Sequence, residues 1–312
     1  MRLVFMGTPA FAVPALEACA AAGHDVAAVV TQPDRPRGRD RQPAFPPVKE
    51  AALRLGLAVH QPERVRRPEV VELLASIGAR AMVVVGYGQI IPQSIIDLAP
   101  LGIVNIHASL LPRYRGAAPI QWAVARGETG TGVTTMKIDA GLDTGDILLV
   151  REVEIGIEET AIELAGRLAV LGAALVVETL AGLDAGVIVP RKQDSSLASH
   201  APILKKEDGR IDWSRPAREI HNRARGFQPW PGVHTTFRGQ ALNIWKTRVA
   251  PESASAAGGT IVAARKRLLV ACGGGTCLEL LELQIEGRKR IFAADFLNGQ
   301  RVNENEILGG MS

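Results

Sequence analysis

The chain has 312 residues, 47% of them hydrophobic and 22% charged, which is the balance of an ordinary folded protein rather than a disordered or fibrous one, with length for roughly two domains of about 150 residues. Its three cysteines, Cys19, Cys272 and Cys277, form no CxxC pair, which argues against a disulfide framework or a zinc knuckle and suits a reducing, cytoplasmic compartment. The net charge of +4 is uneven: residues 205–312 hold 17 Lys and Arg against 11 Asp and Glu, and residues 1–204 hold 19 against 21, so the basic back half fits a polyanionic partner as well as it fits plain solvated charge.

Residues 2–6 (RLVFM) are a short apolar run closed by Gly7-Thr8-Pro9, and a helical pattern follows over 11–22, closed by Gly23. This reads as strand, tight turn, helix. The 11–22 stretch, broken by Pro14 and Glu17 and lacking a basic leader, does not read as a signal peptide, and no run reaches the eighteen or so apolar residues of a membrane span. Further strands are expected over 25–31, 58–61, 81–85 and 102–106, with helices between most of them. Apolar strands alternating with helices predict a doubly wound, Rossmann-like α/β domain whose ligands bind at the carboxyl ends of the strands, near Thr8 and just after Val85 and Ile106. Two more strands, 132–138 and 146–153, flank a glycine-bracketed loop, and a long helix over about 158–183 closes a first domain of residues 1–188. The polar, proline-bearing stretch 189–204 reads as a linker. A helical patch at 216–225 and five short strands between 233 and 283 predict a small OB-like β-barrel in a second domain, 205–312.

The turn after the first strand is no dinucleotide fingerprint, because G-x-G-x-x-G is absent, and no P-loop occurs. The sharpest constellation is Asn105-Ile106-His107 at the end of the fifth strand, where alternation sends Asn105 and His107 to one side. A lone histidine is ordinarily a hydrogen-bonded structural group, but this position and this neighbour outweigh that reading. No second His or Cys stands at metal-ligand spacing, so no metal is expected. The second constellation is Asp139 to Asp146, DAGLDTGD. By itself it would be a turn, and its spacing is not that of a calcium loop. Asp143 gains weight as a carboxylate able to orient His107 and raise its pKa. Together Asn105, His107 and Asp143 suit acyl transfer to an amine without a protein nucleophile, with amide and imidazole serving the oxyanion and one of the three managing the amine proton. Ser109 has no base and sits on no nucleophile elbow. The loop 31–41, TQPDRPRGRDR, carries Arg35, Arg37, Arg39 and Arg41 among prolines and a glycine; it is either a solvated loop or a basic arm for phosphates.

Six stretches, GTPAFAVPAL, TQPDRPRGR, VVVGYGQIIP, NIHASLLPRYRGAAPIQWA, IDAGLDTGDIL and RIDWSRPAREIHNRARGFQPWPG, resemble the methionyl-tRNA formyltransferase family from end to end. The Asn, His and SLLP elements are similar to all folate-dependent formyltransferases, including those acting on glycinamide ribonucleotide and nucleotide sugars; the TQPDRPRGR loop and the C-terminal stretch decide within that group. The resemblance implies transfer of a formyl group from 10-formyltetrahydrofolate to the α-amino group of initiator methionyl-tRNA for translation initiation. It implies catalytic roles for Asn105, His107 and Asp143, and folate contacts from Ser109, Leu110, Leu111 and Pro112 and from the backbone around Tyr87, Gly88, Ile90 and Ile91. It further implies tRNA contacts from Arg35, Arg37, Arg39 and Arg41, with Arg39 matching the acceptor-stem contact, and from basic residues of the second domain such as Arg218, Arg223, Arg225, Lys246 and Arg248. A monomer is the expectation. Two other readings stay open: a formyltransferase for a small amine such as an amino-sugar nucleotide, and a non-catalytic RNA-binding protein on the same scaffold.

Overall fold

The computed structural model of the chain describes residues 1–37 and 42–310. Two compact units divide it: Met1–Pro119 with Gly130–Glu154 and Ala165–Ala201, and Ile120–Thr129 with Ile155–Leu164 and the chain from Pro202 onward.

The first unit is a Rossmann-like layer structure. Its strands are β1 (Arg2–Gly7), β2 (Asp25–Val30), β3 (Arg35–Arg37), β4 (Gln42–Ala44), β5 (Val59–His60), β6 (Ala81–Val85), β7 (Ile103–His107), β8 (Gly130–Lys137) and β9 (Ile147–Glu154). Seven of them form one sheet in the order β5-β2-β1-β6-β7-β8-β9, and β3 and β4 pair as a separate ribbon. From β5 to β7 the neighbours are parallel. All five residues of β6 are buried, as a parallel sheet covered on both faces requires. The crossovers carry α1 (Val13–Ala21), α2 (Pro47–Arg54), α3 (Pro68–Ile77) and α4 (Gln93–Ile96). One cluster, with Val4, Met6, Val30, Met82, Val84 and Ile103 at its centre, packs the sheet against α3 and α4. The last two strands turn antiparallel, β8 on β7 and β9 on β8; for β8 and β9 the 138–146 connection is too short for the crossover that a parallel pair demands.

Two further helices follow in the chain, α5 (Pro119–Ala125) and α6 (Ala161–Asp184). Contrary to the sequence expectation, α6 is long and apolar enough to cross a membrane; the run-based reading misses it because Glu163, Arg167 and Glu178 interrupt the apolar string at helical spacing. Half of its most apolar window is buried inside the protein. Leu168, Leu175, Val176 and Leu180 are in the core, and Thr179 Oγ1 shares a 2.8 Å hydrogen bond with Thr135 Oγ1 on β8. Gly172 lets the helix close on the sheet, since a Cβ there would lie 2.8 Å from Ile106 Cγ2.

In the second unit, α7 (Ala217–Gly226) packs against a sheet built from β10 (Val233–Phe237), β11 (Gln240–Ser253), β12 (Ile261–Ala264), β13 (Leu268–Ala271), β14 (Thr276–Ile285) and β15 (Ile291–Phe292), followed by α8 (Ala293–Gln300). The C-terminal domain is thus antiparallel, with the pairing path β10-β11-β14-β13-β12 and β15 added on β14. Phe227 meets Trp122 edge-on at 5.3 Å, and the Trp122 indole N–H donates to the Pro202 carbonyl at 2.9 Å.

Two of the arginines expected on a tRNA-facing surface are structural. Arg225 is buried and donates to Asn222 Oδ1 and to the carbonyls of Gly156 and Glu159. Arg223 donates to the Asp208 carbonyl and lies over the Phe227 ring at 4.9 Å. The Arg225 position faces inward, and Arg223 is half-buried.

On the same helix His221 is buried, with Nδ1 2.9 Å from Thr247 Oγ1 and Nε2 3.3 Å from the Glu158 carboxylate. Burial holds its pKa below the ordinary value, with Glu158 opposing and Arg225 and Arg218 reinforcing the shift. Because the folded-state pKa is the lower one, the unfolded chain takes up this proton first, and stability that is full above the ordinary value of about 6.5 is lost as pH falls through it. The unfolding midpoint should therefore drop between about pH 7.5 and 5.5, and His221→Gln should flatten that dependence. Some slope should remain, since His24 and His234 shift in the same sense. Equal slopes in parent and variant would contradict this account.

Candidate active site

β7 ends at His107, and its alternation sends Ile106 to the α6 face and Asn105 and His107 to the other. His107 is buried at 6% exposure. Its Nε2 lies 2.9 Å from the Tyr114 carbonyl; a carbonyl can only accept, so Nε2 carries the proton of the neutral ring. Nδ1 is left facing Asp143 Oδ2 at 3.6 Å. The Tyr114 carbonyl therefore holds the ring, and Asp143 stands ready to balance a proton gained at Nδ1. Asn105 is half-buried, and its side-chain amide has no hydrogen-bond partner among the described residues.

Asp143 owes its place to the turn between β8 and β9. Asp139 Oδ1 accepts from the Gly141 N–H at 3.0 Å and the Thr144 hydroxyl at 2.7 Å, the local geometry that Asp and Gly supply in turns. Gly145 presses on the Lys137 carbonyl so closely that a Cβ would collide with it. Asp143 itself has φ +53°, and its Oδ2 accepts from the Gly116 N–H at 2.8 Å. The SLLP segment is thereby tied to the turn by way of residue 116.

Three residues that sequence reasoning passes over support this arrangement. Gln193 donates through Nε2 to the Asp143 carbonyl at 2.8 Å and the Gly145 carbonyl at 2.7 Å. Its Oε1 accepts from Arg115 Nε at 3.1 Å and Nη2 at 2.7 Å, and Arg115 is buried at 6% exposure. The Ser199 hydroxyl accepts from the Tyr114 N–H at 2.9 Å. Gln193 and Ser199 lie in the stretch that reads as linker, which is instead bridged to the first unit: Arg191 pairs with Ile147, and His200 with Arg115.

The expected folate residues fall into two groups. Ser109 is fully buried, its hydroxyl donating to the Arg113 carbonyl at 2.6 Å while its own carbonyl accepts from Thr134 Oγ1 at 2.7 Å. Leu111 donates its N–H to the same Thr134 oxygen and packs with Met136 and Ile147. Leu110 and Pro112 keep partial exposure. Tyr87 and Gly88 line a cleft of about 520 Å³ with Thr8, Gln32, Arg35 and Phe45, where β1, β2 and β6 end. The Tyr87 carbonyl accepts from Thr8 Oγ1 and Gln32 Nε2. The Tyr87 phenol is buried without a partner among the described residues, and burial pushes its pKa up to about 12. Ile90 is 91% exposed, whereas Ile91 is buried. Of the loop arginines, Arg35 is exposed at this cleft and Arg37 ends β3 of the small ribbon; Arg39 and Arg41 lie outside the described residues. Among the described residues no three His, Cys, Asp or Glu side chains converge as metal ligands.

Residues 1–180 match the formyl transferase family model, and residues 203–301 match the formyl transferase C-terminal domain. The chain is 71% identical over 309 residues to the methionyl-tRNA formyltransferase of Solibacter usitatus, covering 99% of each chain. It is 57% identical over 313 residues to that of Koribacter versatilis, covering 100% of each. Among solved structures, a sugar 3N-formyl transferase crystallised with dTDP and 5-N-formyl-THF is similar in fold, with a TM-score of 0.68 at 18% identity over 93% of this chain and 99% of that one.

Proposed function

From the premise that this chain belongs to the methionyl-tRNA formyltransferase family, we infer that it transfers a formyl group from a folate donor to the α-amino group of methionyl-initiator tRNA, and that Asn105, His107 and Asp143 carry the reaction. The observation behind the catalytic assignment is an unpartnered Asn105 amide, among the described residues, on the same rim as a buried His107 whose one available nitrogen faces Asp143.

In this reading the amine attacks the formyl carbon of 10-formyltetrahydrofolate, and the carbonyl electrons move onto oxygen. Asn105 donates to that oxyanion. His107 Nδ1 takes the proton that the nitrogen sheds, and Asp143 at 3.6 Å balances the imidazolium. The protonated Nδ1 becomes a second donor at the site and then returns the proton to the folate nitrogen as its bond to the formyl carbon breaks. Nε2 takes no part, since the Tyr114 carbonyl occupies it. Leu110, Pro112, Tyr87 and Gly88, which keep exposure or line the cleft, are proposed to meet the folate with Ile90 and Ile91. Ser109 and Leu111 shape the loop that carries them. The arginine loop and exposed basic residues of 205–312, Arg218, Lys246 and Arg248 among them, are proposed to meet the tRNA, and the enzyme is proposed to act as a monomer.

The test is formyl transfer by the purified chain from 10-formyltetrahydrofolate to charged initiator tRNA, beside free methionine, a charged elongator tRNA and an amino-sugar nucleotide. Rapid transfer to the initiator alone is expected. Transfer only to the amino sugar would keep the active-site chemistry and overturn the tRNA assignment.

A further inference from the structure

We propose that Gln193, held by Arg115, is a positioning residue for the reaction: it clamps the turn that carries Asp143 and so fixes the carboxylate against His107. The inference rests on the catalytic reading of Asp143 given above.

Asp143 is the weakest-anchored member of the three. It sits on a turn rather than a strand, is half-buried, and has φ +53°, a conformation that residues other than glycine keep only where the surroundings hold them. Its carboxylate has a single hydrogen bond among the described residues, from the Gly116 N–H at 2.8 Å. What holds the backbone that leaves this residue is the Gln193 amide, which donates to the carbonyls of both Asp143 and Gly145, at 2.8 and 2.7 Å. These carbonyls belong to a tight turn, one on the residue whose orientation matters and one two residues after it.

The amide can do this only if its nitrogen points at the turn, and Arg115 decides that. Its guanidinium meets Gln193 Oε1 through Nε and Nη2, and because arginine has donors and no acceptor, the amide cannot rotate to present oxygen to the turn. Arg115 is in turn fixed in the backbone: its N–H donates to the Ser199 carbonyl and its own carbonyl accepts from the Ala201 N–H, both at 2.8 Å. It also stands between Tyr114, whose carbonyl holds His107, and Gly116, whose N–H holds Asp143. One residue thus adjoins both anchors of the His–Asp pair and orients the clamp on the third side.

Gln193→Glu separates the clamp from plain packing. Glutamate keeps the shape and the acceptor for Arg115 but cannot donate to two carbonyls. Steady-state transfer to charged initiator tRNA by the full chain should show kcat reduced about 10- to 100-fold, the range expected when a catalytic group is misplaced, with KM for either substrate changed less than about twofold. Gln193→Ala, which introduces no charge, should lose kcat to a similar degree. In an Asp143→Ala background neither substitution should lower kcat further, because the group they position is gone. Thermal unfolding of each variant identifies any that fails to fold. Unchanged kcat in Gln193→Glu, or a full further loss in the Asp143→Ala background, would overturn the clamp while leaving Asp143 catalytic. Unchanged kcat in Asp143→Ala alone would overturn the catalytic reading and the clamp with it.

Discussion

Asn105→Ala should lower kcat by about 10² to 10³, equivalent to roughly 2.7–4 kcal/mol of lost transition-state stabilisation, with much smaller changes in KM. The magnitude follows from the environment of the amide. It is half-buried on β7 and has no hydrogen-bond partner among the described residues, so removing it leaves no protein group newly unsatisfied and should cost little stability. A donor that serves only the developing oxyanion is missed only in the transition state. Comparison of kcat and KM for both substrates checks this. Turnover reduced less than about tenfold with collapsed affinity would make Asn105 a binding group instead.

Binding of initiator tRNA should weaken by about 10²-fold between roughly 50 and 200 mM salt, the fall expected if some five phosphates are neutralised and the logarithmic slope is near −4. The structure separates the residues that can produce this from those that cannot. Arg218 and Lys246 are exposed and form no ion pair among the described residues. Arg248 is exposed too, with a long 3.7 Å approach to Glu279. Replacing Arg218 and Lys246 with alanine should reduce the slope by nearly one unit for each phosphate that the two side chains neutralise. Arg225→Ala should act differently, lowering the unfolding temperature because Gly156, Glu159 and Asn222 are deprived of their donor. A titration of affinity against salt, run beside thermal unfolding, distinguishes the two. A flat salt dependence would remove the basic half from the tRNA interface.

What the sequence discloses follows from how local each feature is. RLVFM and AMVVV announce buried parallel strands because both faces must be apolar, and strand alternation alone places Asn105 and His107 together. The support of Asp143 leaves no such trace. Gln193 reaches it across 50 residues through an amide in a polar, proline-bearing segment, and such composition signals a loop without saying what the loop is bonded to. Arg223 and Arg225 mislead for a related reason, since charge counts do not tell which side of α7 a guanidinium lies on. The apolar content of α6 becomes visible only on a helix, where its charges gather on exposed positions.

α6 has one more consequence, for the order of events during synthesis. A helix this apolar is a hazard while it is without neighbours, since exposed apolar surface on incomplete chains drives aggregation. The surfaces it covers on β7 and β8, including Ile106, Val133 and Thr135, all precede it in the chain. A ribosome releases them first, so the helix emerges to a sheet already able to receive it, and the interval in which its apolar face lacks a destination is kept short.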